Sequence, residues 1–192
     1  MSVKKRDKLS ISPWIHRFSH LIPLDGRVFD MAAGGGRHSA WLLDRGHIVT
    51  ALDRKTDDLK RLKSLYSEDD QRRFEIIEAD LENSAPWPLQ GRCFDIVVVV
   101  NYLHRSLFPD LLATLAPGGL LLYDTFAVGN EAFGKPGNPD FLLQPGELFD
   151  VVRNHLQVIA FEQGRVEGPN GPAVKQRIAA IKGPASQPLS SP

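Results

Sequence analysis

One cysteine, Cys93, stands alone among 192 residues, so no disulfide can close within the chain, and no Cys/His group has zinc-site spacing. Net charge is missing too. The 23 Lys and Arg residues balance 23 Asp and Glu, which argues against a general attraction to nucleic acid or anionic membrane, though not against a local basic patch. Long apolar runs are absent as well: the longest, Ile96 to Val100, falls far short of the ~20 residues that span a bilayer. Lys4, Lys5 and Arg6 are not followed by the apolar stretch of a secretory leader. A soluble, cytoplasmic protein without a metal site is expected.

What is present fits an ordinary globular chain, with 42% hydrophobic and 24% charged residues. Its length corresponds to one domain with modest extras. Residues 1–10 are polar and basic, and residues 183–192 hold three prolines and three serines. Both read as flexible ends around a single domain at 11–182.

Apolar spacing predicts the elements. Ser12 and Pro13 ahead of Trp14, Ile15 and Phe18 mark a capped helix over residues 13–21. Short β-rich runs follow at 28–31, 48–52, 74–77, 96–100 and 120–123, with helical patterns at 38–44, 57–66 and 108–115 between them. Strand–helix alternation implies right-handed βαβ units and a parallel sheet covered on both faces. After residue 125 the alternation stops. Residues 127–146 are rich in Gly, Pro and Asn and too long for a plain connector, so they are a candidate binding lid. A helix at 147–153 and two runs at 156–161 and 175–181 complete the chain, the last two as an antiparallel pair. The fold class expected is α/β, a Rossmann-like doubly wound sheet, mostly parallel, with a C-terminal antiparallel hairpin.

The strongest chemical signal is Asp30-Met31-Ala32-Ala33-Gly34-Gly35-Gly36-Arg37, which leaves a strand and opens a helix. Glycines there let a ligand approach the backbone. Asp53 ends the next strand, where a carboxylate can take two ribose hydroxyls. A dinucleotide site would want Gly or Ala where Ser39 stands, and Asp30 is an unhelpful neighbour for a pyrophosphate. It suits a cationic ligand instead.

These residues resemble the class I S-adenosylmethionine-dependent methyltransferases, whose first motif is an acidic residue followed by Gly-x-Gly-x-Gly. Asp30, Ala32, Gly34 and Gly36 match it, with alanine in place of the first glycine. The resemblance implies S-adenosylmethionine as cofactor, Asp53 on the ribose, Asp80 and Leu81 against adenine, and Asn101 facing the methionine portion. Pro117-Gly118-Gly119 matches the family's turn before the fifth strand. Asn101-Tyr102-Leu103-His104-Arg105, Asp124-Thr125-Phe126 and the stretch from Asn138 to Leu148 look most like the small tellurite-resistance-type methyltransferases. That points to a small-molecule acceptor, with no nucleic acid expected and the oligomeric state unspecified. An RNA or protein methyltransferase, or a non-catalytic cofactor-binding protein on the same fold, are the alternatives.

Methyl transfer is an in-line displacement in which much of the catalysis can come from position. Candidate catalytic residues are His104, as a base because histidine as a residue type titrates near neutrality, Tyr102 and Arg105. Phe126 and Lys135 are further substrate-side candidates. Arg37 and His38 are expected as capping or surface residues, and Cys93 as a packing residue.

Overall fold

The computed structural model describes residues 11–83, 85–168 and 171–183. The expectations of flexible ends at 1–10 and 183–192 lie, Gly183 apart, outside the described residues. Ser12 Oγ accepts from the Trp14 N–H and caps α1 (Pro13–Arg17), after which a 3₁₀ turn covers Ser19–Leu21. Five parallel strands follow: β1 (Arg27–Met31), β2 (Ile48–Asp53), β3 (Phe74–Glu78), β4 (Phe94–Val100) and β5 (Leu115–Phe126). Between them run α2 (Arg37–Leu43), α3 (Asp57–Lys63), α4 (Glu68–Arg72) and α5 (Phe108–Ala113), and then α6 (Glu147–Val152) leads to β6 (Gln157–Gly168) and β7 (Gly171–Ile181).

All seven strands form one sheet in the order β3-β2-β1-β4-β5-β7-β6. β7 runs antiparallel between β5 and β6 and sets Asp124 opposite Arg177 and Phe126 opposite Lys175. Alternate residues of a strand face opposite sides, and the core divides accordingly. Val28, Val49, Ile96, Val98 and Leu122 pack under Trp14, Ile15, Leu42 and Leu59 of α1 to α3. Phe29, Val97, Val99 and Leu121 pack on the other face with Leu111 of α5 and Leu148 of α6. The doubly wound α/β fold with its antiparallel hairpin is therefore the fold of this chain.

Three local readings change. Ser67 caps α4, a short helix that the apolar spacing does not reveal because none of its residues is buried. Pro117-Gly118-Gly119 is a bulge inside β5: pairing with β4 jumps from Phe94↔Leu115 to Ile96↔Leu120. Cys93 is exposed rather than packed, because it precedes the strand whose burial begins at Phe94.

Candidate active site

β1 and β4 are neighbours whose connections leave toward opposite flanks, which opens a crevice at their C-terminal ends. Four clefts share that rim, one of them between Tyr102, Leu103, Thr125, Phe126 and Phe141, and the other three hold most of the polar groups. The first is lined by Ala32, Asp53, Asp80, Leu81, Tyr102 and Phe141, among others. The second runs past Asp30, Ala32, Gly34, Gly35, His38 and Asn101. The third lies between the α1 entrance, the end of β5 and the β6–β7 hairpin, with Ser12, Asp124, Phe126, Lys175 and Arg177 in its walls. Arg37 and Asn101 belong to both the second and the third, so these two clefts meet.

The glycine loop is fixed by its acidic partner. Asp53 Oδ2 accepts from the Gly34 N–H at 2.8 Å and Oδ1 from the Lys55 N–H at 3.0 Å. Each oxygen keeps a second lone pair for a ligand. A side chain at Gly34 or Gly35 would meet nothing within 4 Å, which leaves the loop open to the cleft. Gly36 serves another purpose. Its φ is +78° and a Cβ there would lie 2.7 Å from both Leu59 and Leu62, so it lets α2 close onto α3. Gly34 and Gly35, rather than Gly36, line the second cleft. Ala32 holds φ +53°, the left-handed conformation that glycine adopts without strain.

Asp30 is buried and accepts from Ser39 Oγ at 2.6 Å. Burial raises its pKa to about 6, against the pull of Ser39 and Arg37. Such a carboxylate gains when a cation arrives beside it. Asp80 Oδ1 accepts from the Glu82 N–H, which turns the chain at the rim. The Tyr102 hydroxyl is buried without a hydrogen-bond partner among the described residues, and burial, followed by the charges of Glu82 and Asp80, raises its pKa. An orphaned hydroxyl, a buried carboxylate and an open glycine loop along one crevice fit a polar cationic nucleoside ligand.

His104 and Arg105 sit differently. His104 lines none of the three clefts, and its carbonyl accepts from the Leu107 N–H to start a 3₁₀ turn. Arg105 forms a bidentate pair with Glu147 (2.7 and 2.9 Å) and donates to the carbonyls of Asp140 and Leu142. Those two carbonyls flank Phe141, so Arg105 pins Phe141 into the first cleft. Its guanidinium is spent on the 127–146 loop, which corrects the expectation of a substrate-facing arginine. Lys135 is exposed and lines none of these clefts.

The third cleft holds what sequence reasoning missed. Lys175 Nζ donates to Asn101 Oδ1 at 2.7 Å and to Asp124 Oδ1 at 3.0 Å. Burial lowers its pKa while Asp124 opposes that shift. Asp124 also pairs with Arg177 at 3.4 Å and accepts from Ser12 Oγ at 2.5 Å. The Ser12 N–H donates in turn to His38 Nε2 at 3.1 Å. His38, expected in a capping or surface role, is buried, and burial followed by Arg37's charge pulls its pKa down to about 3, so it stays neutral. The available signal was one aspartate inside an apolar strand and two cations two positions apart in another.

Residues 28–119 match a family model described as a methyltransferase domain. No curated protein sequence matches the chain. Among solved structures, the glycopeptide N-methyltransferase MtfA complexed with S-adenosylmethionine is 21% identical, with a TM-score of 0.62 over 89% of this chain and 93% of that one. The 1,6-didemethyltoxoflavin-N1-methyltransferase of Burkholderia thailandensis, with its substrate and S-adenosylhomocysteine bound, is 21% identical, with a TM-score of 0.65 over 94% and 83%. TehB of Haemophilus influenzae is 16% identical, with a TM-score of 0.70 over 90% of this chain and 62% of that one. At these identities the structures speak for the fold, and the family match speaks for the domain. Residues 28–119 match a methyltransferase domain, and the chain has the fold of the class I S-adenosylmethionine-dependent methyltransferases.

Proposed function

We propose that this protein methylates a small-molecule acceptor, with the cofactor in the first two clefts and the acceptor in the third. The observation that carries the reading is the meeting of the second and third clefts at Arg37 and Asn101. Donor and acceptor can then face each other without crossing solvent. When bound, S-adenosylmethionine supplies a methyl group on a sulfonium, whose departure leaves a neutral thioether.

The chain's own residues hold and orient. Asp53 would take the ribose hydroxyls with the lone pairs not used by Gly34 and Lys55. Asp80 and Leu81 would flank the adenine. Asp30 and Asn101 would face the cationic methionine portion, with Ala32 and Gly34 allowing close approach. Tyr102 and Phe141 would wall off water from the nucleoside side. Position supplies the catalysis for an acceptor that arrives ionised, and no side-chain base is then required.

Calorimetry with S-adenosylmethionine and S-adenosylhomocysteine tests the cofactor part. Both should bind, and Asp53→Ala should weaken binding about a hundredfold, because the glycine loop loses its anchor along with the ribose contact. No binding of either compound would sink the reading.

A further inference from the structure

We propose that the third cleft takes a small organic anion, an oxyanion on an apolar body, held by Lys175. As an assignment of the acceptor's chemistry this rests on the methyl-transfer reading; as a binding site it does not. The argument begins with donors. A lysine ammonium has three N–H groups. Asn101 and Asp124 engage two of those of Lys175, and no third oxygen partner is found among the described residues. The Phe126 ring, 4.8 Å from Nζ, is its remaining neighbour, so one N–H is held only by a ring face, on a side chain that is 11% exposed and lies in the cleft wall.

Charge points the same way. The cleft is lined by three cations, Arg37, Lys175 and Arg177, against two carboxylates, Asp124 and Glu167. Asp124 is already occupied by Lys175, Arg177 and Ser12. Glu167 Oε1 is taken by Arg165 at 2.7 Å. Arg177 also reaches Glu162 Oε2 at 3.9 Å, so the positive character that remains is centred on the buried Lys175 ammonium, whose carboxylate, Asp124, is shared with Arg177. A cationic cofactor alongside adds to that charge, so an acceptor bearing a negative charge relieves it and a cationic one compounds it. The rest of the lining is apolar, with Ile11, Pro13, Phe126, Val166 and Ala173. An oxyanion on an apolar body matches both kinds of wall.

Benzoate and its neutral isostere benzamide serve as probes. Each is titrated into the full chain by NMR, with and without S-adenosylhomocysteine. Benzoate should bind about tenfold tighter than benzamide, as expected for one partly buried charge-assisted contact. Lys175→Gln, which keeps a donor but removes the charge, should abolish that preference. Equal affinity for the two probes, no binding of benzoate, or an unchanged preference in folded Lys175→Gln would each overturn the proposal. Should the variant not fold, salt decides: benzoate affinity must fall as sodium chloride rises while benzamide affinity does not, and parallel behaviour overturns the proposal. A separate titration reads S-adenosylhomocysteine itself. Its failure to bind would overturn the cofactor reading, while the benzoate–benzamide comparison on the free protein still judges the anion site.

Discussion

The glycine-loop half of the rim is assembled from neighbours in sequence, while the hairpin half is assembled from residues that meet only in the fold. On the first side Asp53 reaches Gly34 across 19 positions and Asp30 reaches Ser39 across 9. On the second, Ser12 and Asp124 are 112 positions apart and Lys175 and Asn101 are 74 apart. The first half is thus a local motif that a single βαβ unit can carry. The second exists only once the last hairpin has docked against β5, so its ion pairs should be coupled to the stability of the whole sheet.

That contrast can be broken most severely at Asp124. Asp124→Ala leaves the buried Lys175 without its carboxylate and Arg177 with only Glu162 at 3.9 Å, and should cost about 3–5 kcal/mol of stability by urea unfolding. Cofactor affinity in the surviving folded fraction should change far less. If instead Asp124→Ala unfolds no more easily than the wild type, the hairpin half is not held by its ion pairs.

Asp30→Asn should act in the opposite sense on the other half. The folded-state pKa is raised from 3.8 to about 6, so the folded protein binds more protons than the unfolded chain in that window, and stability falls as pH rises through it. Removing the charge should therefore stabilise the protein by roughly 3 kcal/mol at neutral pH. The gain should vanish in acid once the wild-type carboxyl is protonated. Affinity for S-adenosylmethionine should drop in the same variant, separating a site designed for binding from one designed for stability. Denaturation at neutral and acidic pH, together with calorimetry, checks both halves of this expectation.

Arg105→Ala sharpens the comparison where the halves touch. It frees Phe141 and removes a bidentate pair that is partly exposed, so the stability cost should be only about 1–2 kcal/mol. Cofactor affinity should fall about fivefold through the lost wall, and a salt-bridge-conserving Arg105→Lys should recover little because one ammonium cannot hold four acceptors. The smallest effect belongs to Ala32→Gly, which relieves the left-handed backbone and should stabilise by up to about 1 kcal/mol in thermal unfolding. A loss of stability there would mean that the methyl group's packing outweighs the strain.

Much of the first half was legible from residue order. The apolar runs locate β1 to β5 because buried parallel strands are continuous and β-branched, as in Ile96 to Val100. The acidic residues at strand ends mark the crevice for the same reason: little else tolerates a carboxylate there without a ligand to meet it. Gly36 shows where such reading stops. Its place in a glycine motif suggested a ligand contact, yet α3, twenty and more residues later, is what forbids a side chain. His104 and Arg105 carry the right chemistry in the right loop, but the direction of a loop side chain depends on what packs against it. Here Glu147 and the carbonyls around Phe141 claimed the guanidinium.

The sequence by itself determined the alternating α/β plan, the glycine loop with its carboxylates and the absence of any long apolar span, because each depends on spacing within one or two adjacent elements. Only the tertiary structure decided that Lys175, Asp124, Ser12 and His38 form one buried network next to Asn101. The physical reason is the docking of β7 between β5 and β6 in antiparallel register. That pairing takes Asp124, Lys175 and Arg177 out of water together, beside Ser12 from the other end of the chain, and no local pattern encodes it.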